Sequence, residues 1–174
     1  MWLRCIPYSR KSKEMISMRK SIPPIPIVIF LLGLAIAYAG VTYYSTVGYV
    51  RADIIQIDGN MIVIGKGCTA IVADTSPERA YAIQLGLEKR IEGRPLTHDT
   101  FVETLKSFNI TLQAVQMQRY DGTYYYSDMI MTDGEKVLRL DAMPSDAIAI
   151  ALRADAPIYI NETLLEEVGE KICE

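Results

Sequence analysis

The sequence predicts an α+β domain with a largely antiparallel sheet and about three to four helices, preceded by one transmembrane helix. Three observations carry that expectation. Residues 21–50 contain no Asp, Glu, Lys, Arg or His, and Ile25 to Tyr44 supply about the 20 apolar residues that a membrane span requires. Further on, Ile- and Val-rich runs flank Asp58-Gly59, and strand-like runs flank Asp121-Gly122, both of them hairpin signals. Segments with helix-start residues separate these pairs, a pattern of grouped hairpins and helices rather than of alternating single strands.

Charge divides the chain in the same place. Residues 1–20 carry a net +5 and residues 51–174 a net −8, so the formal total of −3 hides a sharp asymmetry. The positive-inside rule then predicts a basic cytoplasmic arm over 1–20, a transmembrane helix over 21–48 and an extracytoplasmic domain over 49–174. Ala37-Tyr38-Ala39 also fits a cleavage site, which makes secretion after removal of a signal peptide the alternative, and Met18 is a second candidate start.

Within the outer domain the elements follow in order. Tyr49 to Asp58, Met61 to Lys66 and Thr69 to Ala73 read as three strands. Thr75 is the expected cap of a first helix reaching about Arg90, with Glu78 three residues on and Pro77 in the first turn. After Gly93-Arg-Pro, Thr97 caps a second helix through Phe108, with Phe101, Leu105 and Phe108 on one face. Thr111 to Tyr120, Thr123 to Met131 and Val137 to Ala142 are the next strands, and alternation puts Arg139 and Asp141 on one side. Ser145 is the expected cap of a third helix, apolar all round from Ala147 to Leu152 and therefore buried. A short strand, Pro157 to Ile160, and a terminal helix, Glu162 to Val168, complete the chain.

Few residues suggest chemistry. Asp146 and Arg153 suit the two ends of the third helix dipole and, seven apart, share a face. Asp141 stands at a strand end, where a carboxylate has two uses: pairing with Arg139 or holding a cation. His98, the one histidine, opens the second helix, whose dipole favours a neutral imidazole that can serve as base or ligand. Tyr124, Tyr125 and Tyr126 offer stacking surfaces, or simply good strand residues. Cys5, Cys68 and Cys173 lack metal-ligand spacing and are expected as thiols, with a Cys68–Cys173 disulfide the alternative outside the cytoplasm. No Walker loop, nucleophile elbow, zinc-protease helix or dinucleotide fingerprint occurs. The acidic balance opposes a broad electrostatic grip on nucleic acid, so phosphodiester chemistry would need carboxylates holding a divalent cation.

Arg94-Pro-Leu-Thr-His-Asp99, Asp121-Gly-Thr-Tyr-Tyr125, Asp141-Ala-Met-Pro-Ser-Asp-Ala-Ile-Ala-Ile-Ala-Leu-Arg153 and Ala156-Pro-Ile-Tyr-Ile160 resemble, in order and spacing, the bifunctional nuclease domain family. The likeness covers roughly Val50 to Gly169 and implies an α+β fold and a nuclease acting on DNA and RNA. Arg94, Thr97, His98, Asp99, Asp141, Ser145, Asp146 and Arg153 match its pattern. Met143 departs from it, standing where the family usually has arginine, and so removes one plausible phosphate contact. The residue types then suggest these roles: Asp141 and Asp146 hold Mg²⁺ or Mn²⁺, and His98, oriented by Asp99, activates water. Arg94, Ser145 and Arg153 bind substrate. The expected partners are the membrane, DNA or RNA and, as a further option, a second copy in a homo-oligomer. The alternative is a non-catalytic domain that binds an anion or a protein.

Overall fold

Branched side chains suit a pleated, half-buried surface, and the Ile- and Val-rich start of the domain forms an antiparallel meander of β1 (Tyr49–Asp58), β2 (Met61–Lys66) and β3 (Thr69–Asp74). In the computed structural model, Ile29 and residues 44–173 are described. The expected basic arm and nearly all of the expected 21–48 span lie outside the described residues; residues 44–48 form a bend and a turn leading into β1. Among the described residues no helix is long and apolar enough to cross a membrane.

The remaining elements are α1 (Pro77–Leu87), α2 (Thr97–Ser107), β4 (Thr111–Tyr120), β5 (Tyr125–Thr132), β6 (Val137–Ala142), α3 (Pro144–Ala154), β7 (Ile158–Asn161), α4 (Glu162–Val168) and β8 (Glu170–Lys171). One sheet of eight strands runs β6-β5-β4-β7-β1-β2-β3-β8. Every pairing is antiparallel except β4 with β7. The α+β class and the four helices within residues 77–168 are as expected.

Alternation decides which side is the core. Ile62, Ile64, Ile71, Met117, Met129, Met131, Ile158 and Ile160 occupy alternate positions of their strands and join one buried cluster with residues of all four helices. At its centre α3 buries five consecutive residues, Ala147 to Ala151, between the sheet and the helices α1 and α2. Burying Ile148 and Ile150 contributes about 1.5–3 kcal/mol each. The small alanines between them let the neighbouring elements approach.

Several local expectations are corrected. Ser76, not Thr75, caps α1, its hydroxyl accepting from the Arg79 amide at 3.4 Å. The cap position of α2 falls on Leu96 and that of α3 on Met143, so neither Thr97 nor Ser145 is a cap. Phe108 follows the last turn of α2 and is exposed, while Leu105 is buried as expected. Cys68 and Cys173 form a disulfide, with Cα atoms 5.1 Å apart, that ties the β2–β3 turn to the chain beyond β8. Paired thiols replace the free thiols expected.

Candidate functional site

The first turns of three helices meet at Asp146. Met143 is extended (φ −61°, ψ 133°) and Pro144, with its preset φ and missing N–H, opens α3. This places Asp146 in the first turn, where the helix dipole favours a carboxylate. Its Oδ1 lies 3.2 Å from Nε2 of His98, in the first turn of α2, and 3.9 Å from Nε of Arg79, in the first turn of α1. The His98 ring is mostly buried, whereas the carboxylate of Asp146 is 39% exposed. Nδ1 of His98 is buried without a partner among the described residues. Since a carboxylate only accepts, Nε2–H is the donor to Asp146 in this contact. His98 therefore orients Asp146, and the carboxylate is the member that faces solvent.

Asp99 and Arg153 do something else. Arg153 Nε donates to Asp99 Oδ1 at 2.6 Å, and its Nη1 donates at 2.8 Å to the backbone oxygens of both Ala82 and Ala149. Asp99 Oδ2 accepts from the Leu96 amide at 2.8 Å. One guanidinium thus fastens α1, α2 and α3 together. Both side chains are below 10% exposed. Burial pushes the Asp99 carboxyl up, but the Arg153 hydrogen bond and the Leu96 amide outweigh it and hold its pKa below the usual value. Asp99 is therefore committed to Arg153 and does not orient His98. Arg153, so enclosed, is not a phosphate contact.

Two other expected residues stand apart. Asp141 pairs across strands with Asp128, while the next pair along is Met129 with Leu140. Since Met129 belongs to the core, Asp128 and Asp141 point to the opposite face of the sheet. Asp146 lies among the helices, so the two carboxylates expected to share a metal are on different sides of the sheet. Arg139 does not bond Asp141; its Nη1 reaches Asp128 at 2.9 Å. Among the described residues no three His, Cys, Asp or Glu side chains cluster as a metal cage requires. With Arg79 already beside Asp146, this donor set does not fit a resident Mg²⁺ or Mn²⁺. Arg94 is exposed in the α1–α2 loop and makes no ion pair among the described residues.

Beside the Asp146 cluster lies a cavity of about 290 Å³. Its floor is Ile62, Ile64, Ile71, Ile83, Met117 and Ile148. Thr75, Arg79, Ser145, Met143, Tyr124 and Tyr125 form its rim. Tyr125 is stacked on Tyr120 with ring centroids 4.4 Å apart. The Asp121 carboxylate braces the hairpin tip, accepting from the amides of Thr123 and Tyr124 and from the Tyr126 hydroxyl, which lowers its pKa to about 2. Sequence reasoning missed Arg79. Its signal was a local mismatch: a cation in the first turn sits at the wrong end of the helix dipole unless a neighbour compensates it.

A family model described as the bifunctional nuclease domain matches residues 70–172. Uncharacterized proteins of Mycobacterium tuberculosis, from two strains, are each 34% identical to this chain over 76 residues. The matched stretch covers 44% of this chain and 44% of theirs, so the chain spans under half the length of these curated relatives.

Proposed function

The chain belongs to the bifunctional nuclease domain family, and from that premise we propose a membrane-anchored, nuclease-like protein whose phosphodiester site is the Asp146 cluster beside the cavity that Arg79 helps to line. The family suggests nuclease-like function. The observation that carries the choice of site is the convergence of Arg79, His98 and Asp146 from three separate helices onto one exposed carboxylate.

In this proposal Arg79 contacts a substrate phosphate and offsets the charge that builds on its oxygens during attack. Asp146, held by His98, accepts a proton from the attacking water as the new P–O bond forms and the strand's P–O bond breaks, the leaving oxygen taking its proton from solvent. Tyr124 and Tyr125 present ring surface for a neighbouring base. The apolar run that precedes residue 44 serves as the anchor, with the arm 1–20 in the cytoplasm and the domain outside. The Cys68–Cys173 disulfide supports that side, since such bonds persist in oxidising compartments.

A second reading is a non-catalytic domain that binds an amphipathic anion. The apolar floor of the cavity and the cationic Arg79 at its rim favour it. The two readings separate on incubating the purified full-length protein with single-stranded DNA and with RNA, in Mn²⁺ and in chelator. The nuclease reading predicts cleavage that Asp146→Asn and Arg79→Met abolish and Asp141→Ala leaves intact. Cleavage indifferent to Asp146→Asn rejects this site, and no cleavage in any condition supports the binding reading.

A further inference from the structure

We propose that Asn109 is the acceptor of an N-linked glycan and that Asn161, the other asparagine in the same sequence context, is not. This rests on the outward placement of the domain proposed above. Asn109-Ile-Thr111 and Asn161-Glu-Thr163 both match the Asn-X-Ser/Thr pattern at which glycan is attached, while the third asparagine of the chain, Asn60, does not. The fold treats the two side chains differently.

Asn109 lies in the turn between α2 and β4. Its backbone is left-handed (φ 56°), its N–H donates to the Lys106 oxygen at 3.1 Å, and the Ile110 N–H donates to the Leu105 oxygen at 2.8 Å. These two bonds close the end of α2 as a Schellman motif, in which glycine is the usual residue and asparagine the common alternative that carries a side chain. The backbone thus makes the turn, and the side chain is left exposed with no hydrogen bond among the described residues. Thr111, whose hydroxyl completes the pattern, is exposed at the first position of β4. Only Ile110 between them packs against the core, so a bulky group on Asn109 displaces nothing the fold uses. It would also lie next to Phe108, which is 71% exposed.

Asn161 is committed to the fold. It ends β7 in register with Tyr49 of β1 and is half-buried. Its Oδ1 accepts from the amides of Thr163 at 2.9 Å and Leu164 at 3.4 Å, which caps α4. A large, hydrated group on that amide has to stand against a strand and a helix cap together. At Asn109 the transfer takes an oligosaccharide from a lipid phosphate. The bond from Nδ2 to the sugar C1 forms as the C1–O bond to phosphate breaks, the electron pair leaves with the phosphate oxygen, and the displaced amide proton passes to solvent.

Peptide mass spectrometry of the full-length protein, isolated from the membranes of the cells that make it, tests the assignment. The tryptic peptide 107–119 should carry a glycan mass and release sugar fragments, and peptide 154–171 should be bare. Thr111→Val, which keeps a branched strand residue, should abolish the modification, and Thr111→Ser should retain it. A control pattern built on the exposed β5–β6 turn by Asp133→Asn with Glu135→Thr separates acceptor from orientation. A bare 107–119 peptide beside a modified control overturns the proposal and leaves the outward placement standing. If both are bare and external protease also spares the domain, the placement falls with it. Glycan on Asn161, or modification that survives Thr111→Val, likewise overturns the proposal.

Discussion

Arg153 shows how one residue changes meaning between sequence and structure. Its position near a helix C-terminus is locally favourable, yet its work is non-local: it reaches Asp99 on α2 and the Ala82 carbonyl on α1. Removing one member of a buried pair leaves the other charge without compensation, at a cost of about 3–5 kcal/mol. Arg153→Ala and Asp99→Asn should each destabilise the domain by about that much, measured by urea unfolding at neutral pH. The acid limb gives a separate check. Asp99 has a lowered folded pKa, so its contribution is complete above the ordinary aspartate value of about 3.9 and is lost as pH falls through the folded value. Stability should therefore drop on acidification below about pH 4, and the drop should be smaller in Asp99→Asn. An equal acid dependence in both proteins would remove the pair from the stability account. His98 has the same history: its place at a helix start was legible, but its partner Asp146 lies 48 residues away and no spacing rule supplies it.

At the scale of elements, strands were read better than caps. β1 and β2 begin and end where the hydrophobic runs and the Asp58-Gly59 turn put them, because alternation and turn chemistry are local. The caps slipped because the nearest hydroxyl was favoured over proline. Pro77 and Pro144 each occupy the first helical position, which makes the preceding residue the cap: Ser76 in one case, Met143 in the other. The two-residue β8 escaped notice, since so short a strand has no period to read. Helix packing carries its own prediction. A Cβ built on Gly86 of α1 would lie 2.7 Å from Arg153 Nη1, 3.1 Å from Leu152 Cβ and 3.2 Å from the Ala149 oxygen. Alanine is the better helix former by about 1 kcal/mol, but the crowding against α3 should win. Gly86→Ala should destabilise by about 1–3 kcal/mol in thermal or urea unfolding; a stabilised variant would mean α1 and α3 have room to part.

For the whole molecule, the charge division and the disulfide bear on the proposed anchor and on the side of a membrane where the domain would then work. An outward domain on an uncleaved anchor should be digested by protease added to intact cells, leaving a small fragment that contains residues 1–48. Protection of the domain until the cells are lysed would contradict the orientation. The acidic balance of residues 51–174, a net −8, also implies that any nucleic acid would be gripped at few phosphates. A single well-placed cation such as Arg79 then matters more than bulk charge. Asp146 is the proposed reacting carboxylate, and the direct measurement is the cleavage rate of single-stranded nucleic acid by Asp146→Asn beside Asp141→Asn, both verified as folded by their unfolding midpoints. Loss of about 100-fold or more in the first with little change in the second is the predicted result; equal rates, or a loss confined to Asp141→Asn, would contradict it.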